Sequence, residues 1–479
     1  MSAPPGGGKL RRELRFWETL ALSVGIMAPT AAMALNGVGV SDNIGRAVPL
    51  AFLISGLLVF LVSWGFIRLS AHYSHAGSVY AFSGATLGPR VGFFSGWALL
   101  GTYLAFTVAS SAEVGLFLAQ FANSTGIWNG SEWIWISLAA ALAIGVLAYS
   151  EIKLTTRTLI SMEAVSVLLI IVLMVVIFVR LATGSAPGDG GFSSTVFSLP
   201  PGTTSAALGL GIVLAFLSFA GFEGAAALGE ETSEPRRHIP RAIRNAVIGA
   251  GIFYLLCMLA QTWGFGTGAA GVAAFGSSSS PLGDLGTAYV GSWMGDVINL
   301  GAAVSGFASA LATATGASRI LFAMGRDGFV TPRLGTPSPR TGAPAVALVV
   351  VMTITAAGLV GMRLYGITDA VLAFFYPGTL GVLSLIVAYA VTNVGAAKLF
   401  LSDRRERAWE LVFPVSAIII LAYVFYRNAV GQVYPFNWFP WVVVAWLAVG
   451  FTIIMTVPGL ARRIGANLTA AEGMSVAGQ

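Results

Sequence analysis

The sequence predicts an all-α integral membrane fold with twelve transmembrane helices. Of its 479 residues, 56% are apolar and 10% are charged, whereas an ordinary soluble domain carries about 25% charged residues. So few polar side chains cannot cover the surfaces of the several soluble domains that the length would otherwise suggest. A water-soluble fold is therefore excluded, and the chain needs lipid as its solvent.

Twelve apolar stretches are long enough to cross a bilayer, which takes about 20 mostly apolar residues because lipid cannot hydrogen-bond to the backbone. In chain order they cover residues 16–36, 48–67, 93–121, 133–149, 159–179, 206–228, 246–265, 297–324, 346–362, 371–391, 411–426 and 439–457. No cleavage site of a signal peptide separates the basic N-terminal segment from the first stretch. Residues 1–15 and 458–479 are predicted to be tails outside the membrane.

The basic residues give these spans an orientation. With a cytosolic N-terminus, all but four of the 26 Lys and Arg residues fall on the cytosolic side, and the exceptions are Arg46, Arg180, Arg363 and Arg427. This bias is what the positive-inside rule requires, and adding or removing one span would destroy it. The sequence therefore predicts a multi-pass protein of the cell membrane with both termini in the cytoplasm.

Two spans contain residues that interrupt a helix. The first has Pro29 at mid-span, where a proline cannot donate its backbone hydrogen bond and clashes with the preceding turn. The sixth contains S-F-A-G-F-E-G at residues 218–224, in which Gly221 and Gly224 disfavour a continuous helix. We expect breaks around Ala28 and Gly221.

Interrupted helices at matching positions of two halves are typical of inverted-repeat transporters, which bind substrate near the midplane. The two breaks lie five spans apart, and because five is odd the second half starts from the opposite side of the membrane. This predicts a five-plus-five inverted repeat, with residues 16–180 and 205–392 as the repeats and residues 411–457 as two extra C-terminal helices.

Three acidic residues lie within the spans, where each costs about 2.5 to 3.5 kcal/mol on insertion scales and so needs a reason. Glu113 is in the outer half of the third span, Glu163 is near the cytosolic start of the fifth, and Glu223 is deep in the sixth. A structural role for Glu163 remains open. Because desolvation favours the neutral carboxyl group, Glu163 and Glu223 are candidates for carrying a coupled proton.

The sequence lacks the residue patterns expected of an enzyme, a metal-binding protein, a nucleic-acid-binding protein or a channel. The histidines His72, His75 and His238 form no metal-binding motif, and Cys257 is the single cysteine. No nucleophile-and-base arrangement or nucleotide-binding loop is present, so we expect neither an enzyme, nor a metal site, nor a cofactor. No basic cluster is interleaved with exposed aromatic residues, so no nucleic-acid partner is expected. A channel is disfavoured because no polar rings line one helix face.

Three motifs resemble those of the amino acid, polyamine and organocation permease family. The first is E-E-T-S-E-P-R-R-H-I-P-R-A-I at residues 230–243, and the second is S-R-I-L-F-A-M-G-R-D-G at residues 318–328. The third is G-S-V-Y at residues 77–80, followed at residues 88–97 by a glycine-rich stretch that ends in G-W. The resemblance covers about residues 15 to 400.

The resemblance implies the LeuT-like five-plus-five fold and transport by alternating access. It places the substrate contacts on the two breaks. Glu113 is added as an acidic residue within a span, so the candidate binding residues are Ile26, Met27, Ala28, Pro29, Glu113, Phe219, Ala220, Gly221, Phe222 and Glu223. Many family members have G-S-G-I in the first break, where free N–H groups hold a substrate carboxylate. Here that stretch is bulkier and contains a proline. Where proton-coupled members have a lysine in helix five, this chain has Glu163.

The predicted function is therefore a secondary active transporter that moves an amino acid across the cytoplasmic membrane, either coupled to H⁺ or by exchange. The alternative is a permease for a polyamine or another amine, such as putrescine or ethanolamine, since Glu113 and Glu223 favour an ammonium ligand. Substrate identity, direction of transport and oligomeric state are left open by the sequence.

Overall fold

The computed structural model of the protein describes residues 15–73, 78–130, 132–150, 153–228, 232–326, 328, 331–402 and 407–472. These residues form helices and connecting loops, without a β-strand among them. Residues 1–14 of the predicted N-terminal tail and residues 473–479 of the predicted C-terminal tail lie outside this part of the chain. So do Gly77, Glu230, Glu231 and Asp327 of the family motifs.

The first predicted repeat contains the helices from α1 to α7. Their bounds are α1 Phe16–Met27, α2 Pro29–Ile44, α3 Val48–His72, α4 Ser78–Leu87, α5 Pro89–Ser124, α6 Trp133–Ser150 and α7 Lys153–Ala182. Five of the predicted spans correspond to α1 with α2, α3, α5, α6 and α7. The short helix α4 was not expected from the sequence, and it lies between the second and third spans.

The rest of the chain contains the helices from α8 to α17. Their bounds are α8 Ser205–Leu217, α9 Pro235–Phe265, α10 Ala269–Ser277, α11 Pro281–Tyr289, α12 Ser292–Arg326, α13 Ala345–Leu364, α14 Ala370–Ser402, α15 Val412–Ala429, α16 Phe439–Thr456 and α17 Leu460–Glu472. The predicted C-terminal tail, residues 458–479, contains the helix α17.

Ten helical stretches of the described chain are long and apolar enough to cross a membrane. One of them runs from Thr19 to His72 and so includes two of the spans predicted from the sequence, while Ser205–Leu217 is apolar but shorter. The protein is therefore an all-helical, multi-pass membrane protein.

The third span is the central helix of the bundle. Helix α5 packs most extensively against α12 and α14, and α3 packs against α9. Two small residues in α12 allow close approach to α5, because a Cβ at Gly306 would lie 3.2 Å from Glu113 Oε2 and one at Gly316 would lie 2.8 Å from the Tyr103 ring. This close packing brings polar residues of α5 and α12 next to the helix breaks.

The segment that precedes the seventh predicted span, residues 235–245, is helical. Pro235 is the first residue of α9, a position that suits proline because the N–H there has no helical partner. Pro240 lies within the same continuous helix. The seventh span therefore begins about ten residues earlier than the apolar pattern suggests, because its first turns are basic and amphipathic.

Candidate functional site

The first span is broken at a single residue. Helix α1 ends at Met27, Ala28 takes the left-handed conformation with φ 45°, and α2 begins at Pro29. A left-handed alanine is uncommon, and proline at the first position of a helix needs no hydrogen-bond acceptor. The break lies where the sequence predicts it, and it leaves the first N–H groups of α2 without partners in a preceding turn.

Two side chains from distant parts of the chain accept those hydrogen bonds. The Thr30 N–H donates to Glu163 Oε1 at 2.9 Å, and the Ala31 N–H donates to Ser305 Oγ at 3.1 Å. The next donor, the Ala32 N–H, bonds to the Ala28 carbonyl at 3.0 Å. The start of α2 is thus capped by α7 and α12, with Glu163 itself buried.

The sixth span is also interrupted. Helix α8 ends at Leu217, the chain turns through residues 218–221 with Gly221 at φ 104°, and a 3₁₀ helix follows over Phe222–Leu228. A φ of this sign suits glycine, which has no Cβ to clash. The two broken spans are joined by a hydrogen bond from Asn36 Nδ2 to Ser218 Oγ at 2.7 Å.

Glu223 links the second break to α5 and α14 through hydrogen bonds. Its Oε1 accepts a hydrogen bond from Tyr103 Oη at 3.3 Å, and its Oε2 accepts bonds from Tyr389 Oη at 2.5 Å and from the Gly221 N–H at 3.1 Å. The residue is 1% exposed. Both carboxyl oxygens are occupied by protein donors, so Glu223 holds the interrupted segment between α5 and α14.

A cavity of about 50 Å³ lies between the two breaks. Its lining combines the breaks with α5, α12 and α14, and consists of Met27, Ala28, Ala31, Ala32, Asn36, Tyr103, Phe106, Ala109, Ser110, Glu113, Leu217, Ala220, Gly221, Ser309, Thr313 and Phe374. None of these described residues is a lysine, an arginine or a histidine.

The structure brings together five of the candidate binding residues around this cavity, namely Met27, Ala28, Glu113, Ala220 and Gly221. The other described candidates lie behind it in the packed core: Pro29, Phe219, Phe222, Glu223 and the coupling candidate Glu163 are buried but do not belong to its lining. Ile26 belongs to α1, and its side chain lies outside the part of the chain that the structure describes.

Glu113 is the acidic residue of the cavity. It is 3% exposed, its Oε2 lies against Gly306, and its Oε1 has no hydrogen-bond partner among the described residues. The Oδ1 atom of Asn36, which also lines the cavity, has no such partner either. Since buried polar atoms are normally paired, these two acceptors suit a ligand that donates hydrogen bonds.

Several lining residues were not predicted. Ser110 donates to Ser309 Oγ at 3.1 Å, and Thr107 donates to Thr313 Oγ1 at the same distance. One signal in the sequence could have found them, because hydroxyl residues recur every four positions in α12 at residues 305, 309 and 313, a spacing that puts them on one helix face. The described residues contain no group of three or more His, Cys, Asp or Glu that could hold a metal ion.

Comparison with known proteins agrees with the motifs. A family model described as amino acid permease matches residues 14–461. The chain is 25% identical over 368 residues to the branched-chain amino acid permease BcaP of Bacillus subtilis, covering 72% of this chain and 74% of the relative. It is 26% identical over 353 residues to the low-affinity putrescine importer PlaP of Escherichia coli, covering 72% and 73%.

A eukaryotic relative also matches. The cationic amino acid transporter 3, mitochondrial, of Arabidopsis thaliana is 24% identical over 383 residues, covering 77% of this chain and 58% of the relative. The family match spans nearly the whole chain, and it confirms the resemblance carried by the motifs. The protein therefore belongs to the amino acid permease family and is a transporter of a small-molecule substrate.

Proposed function

We propose that the protein is a secondary active transporter that binds the ammonium group of its substrate at Glu113 and works by alternating access. The observation that carries this proposal is the buried Glu113 Oε1, which lines the cavity without a hydrogen-bond partner among the described residues. An ammonium group would supply both a hydrogen-bond donor and a compensating positive charge for this unpartnered carboxylate. The two helix breaks beside it supply the segments that can move.

The proposed architecture has twelve spans, with inverted repeats at residues 16–180 and 205–392 and both termini in the cytoplasm. Ten stretches are long and apolar enough to cross the membrane, and one of them, Thr19–His72, contains two predicted spans. The sixth predicted span is the twelfth; it is not among the ten because its helix ends at Leu217 and is too short. The proposed counterparts pack in pairs, since α2 contacts α8, α3 contacts α9, and α5 contacts α12. The excess of basic residues on one side supports the proposed orientation, and we propose the cell membrane as its location.

Two substrate classes carry the required ammonium group. An amino acid is favoured by the family match and by the name of the relative BcaP. An amine such as putrescine is favoured by the name of PlaP and by a cavity whose described lining contains a carboxylate and no cationic side chain. Both classes therefore fit the proposed ammonium site.

We further propose coupling to H⁺, with exchange as the alternative mode. Glu163 and Glu223 are the candidates for the proton carrier, because both are buried carboxyl groups in direct contact with the helix breaks. A proton that moves on or off either group would alter the hydrogen bonds that hold a break in place.

The test is counterflow in proteoliposomes that contain the purified protein, with a panel of labelled amino acids and amines. A saturable substrate is expected, and Glu113→Gln should weaken its binding about tenfold to a hundredfold, the effect of losing a charged hydrogen bond. The control is Glu132→Gln, which removes an exposed carboxylate that lies 3.8 Å from Arg363 and is not part of the cavity lining. Wild-type affinity in Glu113→Gln would disprove the proposed ammonium site.

A further inference from the structure

We infer that Glu163 determines the substrate class by acting as a built-in carboxylate at the start of α2, so that the site accepts an amine and excludes a substrate carboxylate. This inference rests on the ammonium site proposed at Glu113. The two residues have different roles. Glu113 binds the ammonium group, which amines and amino acids share, whereas Glu163 occupies the start of α2, where the carboxylate of an amino acid would bind.

The start of a helix is a natural place for an anion. Its first N–H groups have no partners within the helix, and the helix dipole adds positive potential there. In this protein the start of α2 borders the cavity, because Ala28, Ala31 and Ala32 all belong to the lining. A free helix start at this position would attract a carboxylate from the substrate.

The N–H groups at that helix start already have acceptors within the protein. Glu163 Oε1 accepts from the Thr30 N–H at 2.9 Å, Ser305 Oγ accepts from the Ala31 N–H at 3.1 Å, and Pro29 has no N–H. Glu163 comes from α7, more than a hundred residues along the chain, and is 7% exposed. Its carboxylate therefore already has the hydrogen bond and the helix-dipole interaction that a substrate carboxylate would need.

The carboxyl groups of Glu113 and Glu163 lie near enough to each other to interact electrostatically. Glu113 Oε2 would lie 3.2 Å from a Cβ at Gly306, and the preceding residue, Ser305, bonds to the start of α2. An α-amino acid carries its carboxylate two bonds from its nitrogen. With the ammonium group at Glu113, that carboxylate would reach the region of the Glu163 carboxylate and be repelled by it.

At the second break, the N–H groups of the two described residues that line the cavity, Ala220 and Gly221, are also occupied. The Gly221 N–H bonds to Glu223 Oε2 at 3.1 Å, and the Ala220 N–H bonds to the Leu217 carbonyl at 3.3 Å. Meanwhile the described lining has two acceptors without partners and no cationic side chain. The site thus offers unpartnered hydrogen-bond acceptors and few hydrogen-bond donors, which suits a substrate with an ammonium group and no carboxylate.

The experiment compares ligand pairs that differ only in the carboxylate: putrescine with ornithine, ethanolamine with serine, and isopentylamine with leucine. Affinities are measured by calorimetry on the purified full-length protein in lipid nanodiscs. For the pair that contains the best ligand, the wild type should bind the amine at least about tenfold more tightly than the amino acid, the effect of one charged hydrogen bond.

Glu163→Ala should shift that affinity ratio toward the amino acid by about tenfold or more, since it frees the Thr30 N–H and removes the repelling charge. Added acetate should then compete with the amino acid in the variant. The matched control is Glu113→Gln, which should weaken both members of a pair alike and leave their ratio unchanged. A merely structural role for Glu163 would lower both affinities without changing the ratio.

If Glu163→Ala does not fold, Ser305→Ala replaces it, because this change frees the Ala31 N–H, removes a hydrogen bond to Glu163 and should shift the ratio in the same direction. Wild-type protein that binds the amino acid at least as tightly as its amine would overturn the inference, as would an unchanged ratio in a folded variant. The proposed function would survive either result, provided that Glu113→Gln weakened both ligands. Binding of neither member of any pair would refute both proposals.

Discussion

Replacing Glu223 separates its role as an anchor of the helix break from a role in proton coupling. Glu223→Ala removes the acceptor of three hydrogen bonds, whose donors are Tyr103 Oη, Tyr389 Oη and the Gly221 N–H. All three donors would be left in a buried region, because Glu223 is 1% exposed. Glu223→Gln keeps the size of the side chain and one carbonyl oxygen.

The two changes should differ strongly in stability. An unsatisfied buried donor costs about 1 to 3 kcal/mol, so three of them cost about 3 kcal/mol or more in Glu223→Ala. In Glu223→Gln the amide oxygen can accept from the Gly221 N–H and Tyr389, while the Tyr103 hydroxyl can turn to accept from the amide. We therefore expect the glutamine variant to lose at most about 1 kcal/mol.

The measurement is denaturant unfolding of the purified protein in detergent, compared among variants. Tyr254→Phe is the control, because it deletes the hydroxyl of a fully buried tyrosine that has no hydrogen-bond partner among the described residues. That change should leave stability unchanged or raise it. A Glu223→Ala variant within about 1 kcal/mol of the wild type would refute the anchoring argument.

Transport by Glu223→Gln then tests coupling. If Glu223 carries the proton, uptake driven by a pH gradient should collapse, while exchange of labelled for unlabelled substrate continues because it needs no net proton movement. If Glu223 is only an anchor, both activities should persist. Loss of gradient-driven uptake in Glu163→Gln instead would assign the proton to Glu163.

Three further outcomes are expected. Gly306→Ala should weaken substrate affinity about tenfold in binding assays while the protein stays folded, since its methyl group would lie 3.2 Å from an oxygen of Glu113 and displace it; unchanged affinity would contradict this. Gly450→Ala should lower thermal stability, because its Cβ would lie 2.2 Å from Cδ1 of Trp97; an unchanged melting temperature would argue against the packing of α16 on α5. A cysteine at Arg236 in a cysteine-free background should resist a membrane-impermeant reagent added outside, and rapid labelling would reverse the proposed orientation.

Much of the fold follows from local sequence alone. A span in lipid must satisfy its own backbone and present apolar side chains, so composition and length are sufficient to locate it. The same holds for the breaks, because Pro29 and Gly221 act on the backbone within one turn of where they stand. The short helices α4, α10, α11 and α17 were not predicted, because each has 13 residues or fewer and cannot cross the membrane by itself.

The roles of the three buried carboxyl groups were decided by tertiary packing. From the sequence, Glu223 is a candidate for both substrate binding and proton coupling, yet its carboxyl group accepts hydrogen bonds from Tyr103 and Tyr389, which come from other helices. Glu113 has an unpartnered oxygen at the cavity, and Glu163 caps a helix start more than a hundred residues earlier in the chain. A carboxyl group's function depends on which donors surround it, and residues far apart in sequence supply those donors only once the helices have packed. The sequence by itself therefore determined where the acids and the breaks lie, while the packing of α5, α7 and α12 around α2 decided which acid lines the cavity.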